Sequence, residues 1–205
     1  VRDMENSAFR PFETALAEED ALPVLQSALA GADDGEIFAE RHKSESLVFD
    51  DGRLRSASYD ASEGFGLRAV NGDVAGYAHS TDVSIEALKR AAETARLAVG
   101  DGGGTYADAP QATNVKLYTD ADPISAEPFP VKVETLREID AFARDLDQRV
   151  VQVSASLAAS LQEIEILRAD GIRVQDVRPM ARLNVSVIVE KDGRRESGSA
   201  GGGGR

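Results

Sequence analysis

Leu183-Asn184-Val185-Ser186-Val187-Ile188-Val189-Glu190-Lys191-Asp192-Gly193-Arg194-Arg195-Glu196-Ser197-Gly198-Ser199-Ala200, followed by Gly201 to Gly204 and Arg205, is the stretch from which the fold is read. Leu183, Val185, Val187 and Val189 alternate with other residues at the period of a half-buried strand. Asp192-Gly193 is a two-residue hairpin signal, so Arg194-Arg195-Glu196 reads as a polar returning arm. Beyond Gly198 nothing in the sequence anchors the backbone. Consecutive glycines lose much backbone entropy on ordering and offer no side chain to bury. Gly201, Gly202, Gly203, Gly204 and Arg205 are therefore expected to be mobile, as the glycine-rich start of a linker. The alternative is a stretch whose bare backbone lets an extended peptide approach closely.

The same pattern extends towards the N-terminus. Val151, Val153, Ala155 and Leu157 alternate, and Ala169-Asp170-Gly171 reads as a turn before Ile172, Val174 and Val177. Leu136, Ile139, Phe142, Ala143 and Leu146 form one face of a helix over about Lys132 to Gln148. An earlier block, Glu36 to about Thr81, repeats the arrangement. It has an extended arm through Ser46-Leu47-Val48-Phe49 and a turn at Asp50-Asp51-Gly52. Two strands follow, Leu54 to Tyr59 and Phe65 to Val70, then a hairpin at Asn71-Gly72 and a return strand from Val74 to Ala78.

Leu22, Leu25, Ala28 and Leu29 make a helix before this block, and Gly31 stops it. After it, Asp82 or Ser84 caps a helix with Ile85, Leu88, Ala92 and Ala95 buried and a Glu86–Arg90 pair outside. Gly100 ends that helix, and a loop-rich connector with Gly102-Gly103-Gly104 follows. The fold class is therefore α+β: antiparallel sheet meanders with helices packed on one face. The matching order of elements suggests a duplicated helix-plus-meander unit, although β-meanders resemble one another without duplication. Residues 1–20 read as an acidic N-terminal extension, 21–200 as one α+β domain, and 201–205 as the linker start.

Composition excludes several functions. The formal net charge of the 205 residues is −13, opposite to the basic face of a nucleic-acid-binding module, so no nucleic-acid partner is expected. The acid is concentrated early: residues 1–40 hold ten Asp/Glu and two Arg, whereas 162–205 hold seven acids and eight Lys/Arg. There is no cysteine, hence no disulfide and no thiolate ligand. No apolar run reaches the roughly 18 residues of a membrane span, and the start has no apolar signal core. A cytoplasmic protein is expected.

No catalytic constellation emerges. His42 and His79 are the two histidines, and neither has a carboxylate at metal-ligand spacing. No serine sits in a Gly-x-Ser-x-Gly elbow. Asp33-Asp34 and Asp50-Asp51 read as turn formers. The glycine runs lack the Gly-Lys-Ser/Thr ending of a phosphate loop, and Gly64-Phe65-Gly66 lacks a third glycine at dinucleotide spacing. No catalytic and no metal-binding residue is assigned.

Three segments together carry a resemblance. They are Gly64 to Ala78 followed by Thr81-Asp82, Val174 to Pro179, and Arg182 to Val187 continuing through Asp192 to Glu196 into the glycines and Arg205. From about residue 20 to its end the chain resembles the N-terminal domain of the TldD/PmbA family, long labelled modulators of DNA gyrase, and its closing run resembles the TldD branch more than the PmbA (TldE) branch. The resemblance implies a metallopeptidase with a zinc-binding HExxxH helix in a C-terminal domain. It also implies a PmbA (TldE)-type partner in a heterodimer, peptide substrates that are unfolded or extended, and an enclosed chamber. This chain stops short of that zinc motif, so no zinc ligand carries over and no cofactor is expected in it. The expectation is an N-terminal part of a longer protein whose glycine tract, Gly201 to Arg205, lies on the substrate path. The competing expectation is a non-catalytic module that binds a partner subunit or an extended peptide.

Overall fold

Two-residue turns and long alternating runs produce a meander of unusually long strands. The computed structural model describes residues 8–99 and 119–205. After a single 3-10 turn at Pro11–Glu13 come α1 (Glu18–Ala28), β1 (Asp34–Asp50), β2 (Arg53–Asn71), β3 (Val74–Ser80) and α2 (Ile85–Val99). The second series is α3 (Phe129–Leu146), β4 (Val150–Arg168), β5 (Arg173–Lys191) and β6 (Arg194–Gly204). The strands form one sheet in the order β3-β2-β1-β4-β5-β6. A six-stranded antiparallel sheet with three helices is an α+β fold, as expected. A helix followed by three strands occurs twice, and β1 and β4, the first strand of each set, are neighbours.

The turns follow from their residues. Asp51 and Gly52 both take positive φ, 49° and 76°, and so do Asp192 and Gly193, 52° and 77°. Positive φ at both central positions is the type I′ pattern that matches strand twist. At the third hairpin Asn71 is still in the strand, paired with Val74. The loop is Gly72-Asp73, one residue later than the sequence signal, and only Gly72 has positive φ there. The expected break between Tyr59 and Phe65 is absent, because β2 continues through it.

The chain forms two compact units. The first comprises the described residues within Val1–Arg41, Ser62–Val115 and Glu163–Val177. Its core joins Leu25 and Leu29 of α1, Ile37 and Ala39 of β1, Phe65 and Leu67 of β2, and Leu88 and Ala95 of α2. Ser84 caps α2, its hydroxyl accepting from Ala87 N at 3.2 Å. Arg90 pairs with Asp82 at 3.5 Å and not with Glu86, the acid before the helix competing for the same guanidinium. Gly100 and Gly102 to Gly104 lie outside the described residues.

Residues 8–20 are more than an acidic extension. Phe12 and Leu16 are buried in this first core, and carboxylates of β4 hold the segment from below. Phe9 N donates to Glu163 Oε1 and Phe12 N to Glu165 Oε2, each at 3.1 Å. Average polarity hides the few apolar anchors that decide where such a segment sits.

The second unit comprises His42–Ala61, the described part of Lys116–Gln162, and Arg178–Arg205. Its core is Leu47 and Phe49 of β1, Leu136 of α3 and Ala155 of β4, flanked by Leu183 and Val185 of β5. The buried line of α3 is Lys132, Leu136 and Asp140, four residues apart on one stripe. Phe142 and Leu146, expected on that stripe, are 64% and 69% exposed. Phe142 is two residues from Asp140, roughly 200° around the helix. Lys132 is held by Glu45 and by the Ile124 carbonyl. Asp140 accepts from Arg144 at 3.0 Å and from Gly52 N at 3.3 Å, which ties α3 to the first β-turn.

Candidate functional site

The sequence candidate Gly201 to Gly204 lies in β6, the last strand of the sheet, and Arg205 directly follows it. An anchor for the backbone from Gly201 onward, not apparent in the sequence alone, is present. Gly201, Gly202, Gly203 and Gly204 pair in register with Asn184, Leu183, Arg182 and Ala181. The physical reason is the neighbour: a glycine run costs entropy to order, but a long preformed β5 supplies a backbone partner for every residue of it.

Every residue of β6 is exposed, so its side chains pack against little and its backbone is the accessible feature. The hairpin fixes which groups face out. Lys191 and Arg194 flank a two-residue loop, and such a flanking pair is hydrogen-bonded, with pairing alternating from there. Glu196, Gly198, Ala200, Gly202 and Gly204 therefore bond back to β5. Ser197, Ser199, Gly201 and Gly203 present their N–H and C=O groups to the free edge. Natural edge strands are blunted by charges, proline or bulges. Arg194, Arg195 and Glu196 do this at the turn, but Ser197 to Gly204 carries none of them.

The glycines are not equivalent. A Cβ on Gly203 would lie 2.5 Å from the Ala181 carbonyl oxygen, and one on Gly201 would run into the Asn184 side chain. Gly198, Gly202 and Gly204 face open space. Glycine at 201 and 203 is thus required for close packing onto β5 and simultaneously bares the outward backbone.

Sequence reading missed the charged groups that fix the framework. In the first unit Glu165 is fully buried, accepting from Arg173 at 2.8 Å and Gln175 at 2.5 Å. Arg173 also reaches Glu13 at 2.8 Å. Its pKa is raised above the ordinary guanidinium value by the hydrogen bond to Glu13, with Glu165 adding to it against desolvation. Glu163 pairs with Arg41 at 2.8 Å. In the second unit Arg144 is likewise raised, first by Asp140 and then, against desolvation, by Asp51. These are paired and hydrogen-bonded, the condition for burying charge, and the alternation pattern that marks them as inward-facing was available in the sequence.

No group of three or more His, Cys, Asp or Glu among the described residues could hold a metal ion. His42 is half-buried on β1 and His79 is exposed on β3, stacked with Tyr77 at 5.9 Å between ring centroids. The described residues therefore do not fit the zinc implied by the resemblance. No helix among them is long and apolar enough to cross a membrane.

Comparison with known proteins now adds to this geometry. Residues 35–99 match the model of PmbA/TldA metallopeptidase domain 1, and residues 122–205 match that of the PmbA/TldA metallopeptidase central domain. This chain belongs to the PmbA/TldD metallopeptidase family. The expected single domain over 21–200 spans parts of both family regions, and the glycine tract lies inside the second. The chain is 32% identical to the metalloprotease TldD homolog of Buchnera aphidicola from Acyrthosiphon pisum, over 84% of this chain and 36% of that protein. It is 34% identical to the metalloprotease TldD homolog of Haemophilus influenzae, with the same coverage of each. It thus spans about a third of the length of these PmbA/TldD relatives. Among solved structures it is similar to TldE from Thermococcus kodakarensis, with TM-score 0.72 and 16% identity over 90% of this chain and 42% of that one. A putative modulator of a DNA gyrase from Thermotoga maritima gives TM-score 0.75 and 16% identity over 94% and 44%. At such identities these two show the shared fold alone.

Proposed function

We propose that this chain is the N-terminal, substrate-handling part of a TldD-like zinc metallopeptidase that processes unfolded or extended peptides together with a PmbA (TldE)-type subunit in the cytoplasm. Its own contribution is non-catalytic. The observation that carries this reading is the outer edge of β6: Ser199, Gly201 and Gly203 offer unpaired backbone groups on an exposed, uncharged, glycine-rich strand. An extended peptide adds to such an edge by main-chain hydrogen bonds and so is bound with little regard to its sequence. That suits a peptidase acting on unfolded chains. Family membership supports the metallopeptidase class, and the TldD names of the relatives support the branch.

A second reading assigns the same edge to assembly, with a strand of a partner subunit in place of substrate. Proline at position 199 separates both from a passive edge. Its missing N–H is one that faces outward, so the β5–β6 ladder survives. In the intact enzyme, Ser199→Pro is expected to lower cleavage of an unstructured peptide at least about tenfold, the loss of a hydrogen bond or two from a bound strand. Unchanged turnover sinks the peptide reading. Loss of co-purification with the partner subunit, in step with lost turnover, moves the edge to assembly.

A further inference from the structure

The face of the sheet around β6 holds a second feature. Ser154 and Ser156 of β4, Arg182, Asn184 and Ser186 of β5, and Ser199 and Gly201 of β6 line an open concavity of about 310 Å³. The strand register explains it: Ser186 is opposite Ser199, Asn184 opposite Gly201, and Arg182 opposite Gly203. Arg182 Nε donates to Asn184 Oδ1 at 3.0 Å, and the Asn184 side chain lies where a Cβ of Gly201 would be. Two polar side chains of β5 are thus gathered towards a strip of β6 that has no side chains of its own. Among the described residues no carboxylate pairs with Arg182, in a chain with 36 Asp and Glu. Arg182 is exposed and lines this concavity with hydroxyls and an amide, so its guanidinium is accessible to an external anion. Its planar fork matches a carboxylate.

Position supplies the rest. A peptide paired on the free edge of β6 lies two strand spacings, about 10 Å, from β5. An ordinary intervening strand would fill that gap with side chains. Gly201 and Gly203 add no side chains there, so the Asn184 and Arg182 side chains occupy that space instead, and the guanidinium of Arg182 can meet a carboxylate on the added strand across β6. We propose that this concavity is an anion subsite that takes a carboxylate of the bound peptide, from an acidic side chain or from its C-terminus. Arg182 is its charge partner, and Asn184 with the serines its neutral hydrogen-bonding wall. The inference rests on the peptide-pairing reading of β6 and adds to it a preference for acidic substrates.

The test uses the intact protein and a fluorescein-labelled Ser/Thr/Val peptide in four forms. One is C-terminally amidated and neutral, one has a free C-terminal carboxylate, and two are amidated with a single internal Asp or Lys. Binding is read by anisotropy. The Asp form, the free-carboxylate form or both should bind about tenfold or more tighter than the neutral form, the usual worth of a charge-assisted hydrogen bond. Which of them gains identifies the source of the carboxylate. Arg182→Ala should abolish the gain. Arg182→Glu should transfer the preference to the Lys form, a reversal that misfolding does not produce. Equal affinity of the neutral and both carboxylate-bearing peptides overturns the anion subsite while leaving the pairing edge standing. No binding of any form overturns both.

Discussion

The two edge strands of the sheet, β3 and β6, are each the last strand of a helix-plus-meander set, yet they are finished in opposite ways. β3 has seven residues and β6 eleven. Gly76 of β3 is buried, where a Cβ would run into the Ala95 carbonyl of α2. Gly66 of β2 lies beneath the ring of Tyr77, an aromatic covering a glycine next to the edge. The glycines of β3 and its neighbour are therefore sealed by a helix and a ring. Those of β6 are covered on one side by β5 and left bare at the free edge. The same residue type serves tight packing in one edge and accessible backbone in the other, so glycine count alone says nothing about exposure. What matters is whether a following helix returns to cover the strand. α2 follows β3 directly and covers it.

Substitutions separate the two edges. Leu88 of α2 is fully buried, and Leu88→Ala should destabilise by about 2–5 kcal/mol, with slowed amide exchange protection lost first along β3. A cost under about 1 kcal/mol in denaturant unfolding would mean that α2 does not seal that edge. Gly76→Val should cost about 1–3 kcal/mol by overpacking against backbone that has no rotamer to yield. On β6 the comparison sharpens within adjacent positions. Gly203→Val forces the Ala181 carbonyl to move and should cost about 1–2 kcal/mol, whereas Gly202→Val enters open space and should stay within about 0.5 kcal/mol. Equal melting shifts for these neighbours would show that β6 is not held in the register described.

Much of the framework is legible in the sequence. The alternation of Leu183 to Val189, the Asp192-Gly193 turn and the helical stripe of Leu22 to Leu29 all appear where their periods place them. The failures share a cause. Phe142 and Leu146 satisfied a helical period but not the stripe that Lys132, Leu136 and Asp140 occupy, because a buried ion pair and a turn-binding carboxylate took the inward positions. The pairing of the glycine tract was not legible because it depends wholly on β5, and local entropy arguments do not include a partner strand. Glu163 and Glu165 lie on inward positions of an alternating strand, but a sequence reading discounts buried acids unless their cations are also identified. Arg41 is 122 residues away from Glu163. The subsite around Arg182 required the β5–β6 register, which the hairpin turn fixes only once its loop length is known.

The clasp of residues 9–18 has a consequence for the time course of synthesis. Phe9 docks on Glu163, 154 residues later, and Glu13 on Arg173, 160 residues later. At about 5–20 residues per second, a ribosome delivers those partners roughly 8–30 s after the segment itself has been made. Through that interval the backbone of Phe9 and Phe12 and the carboxylate of Glu13 lack these partners, although Phe12 and Leu16 share a core with α1, β1, β2 and α2. The polar contacts of this segment are thus completed only when β4 and β5 have been made, and an acidic, soluble segment is well suited to wait in water.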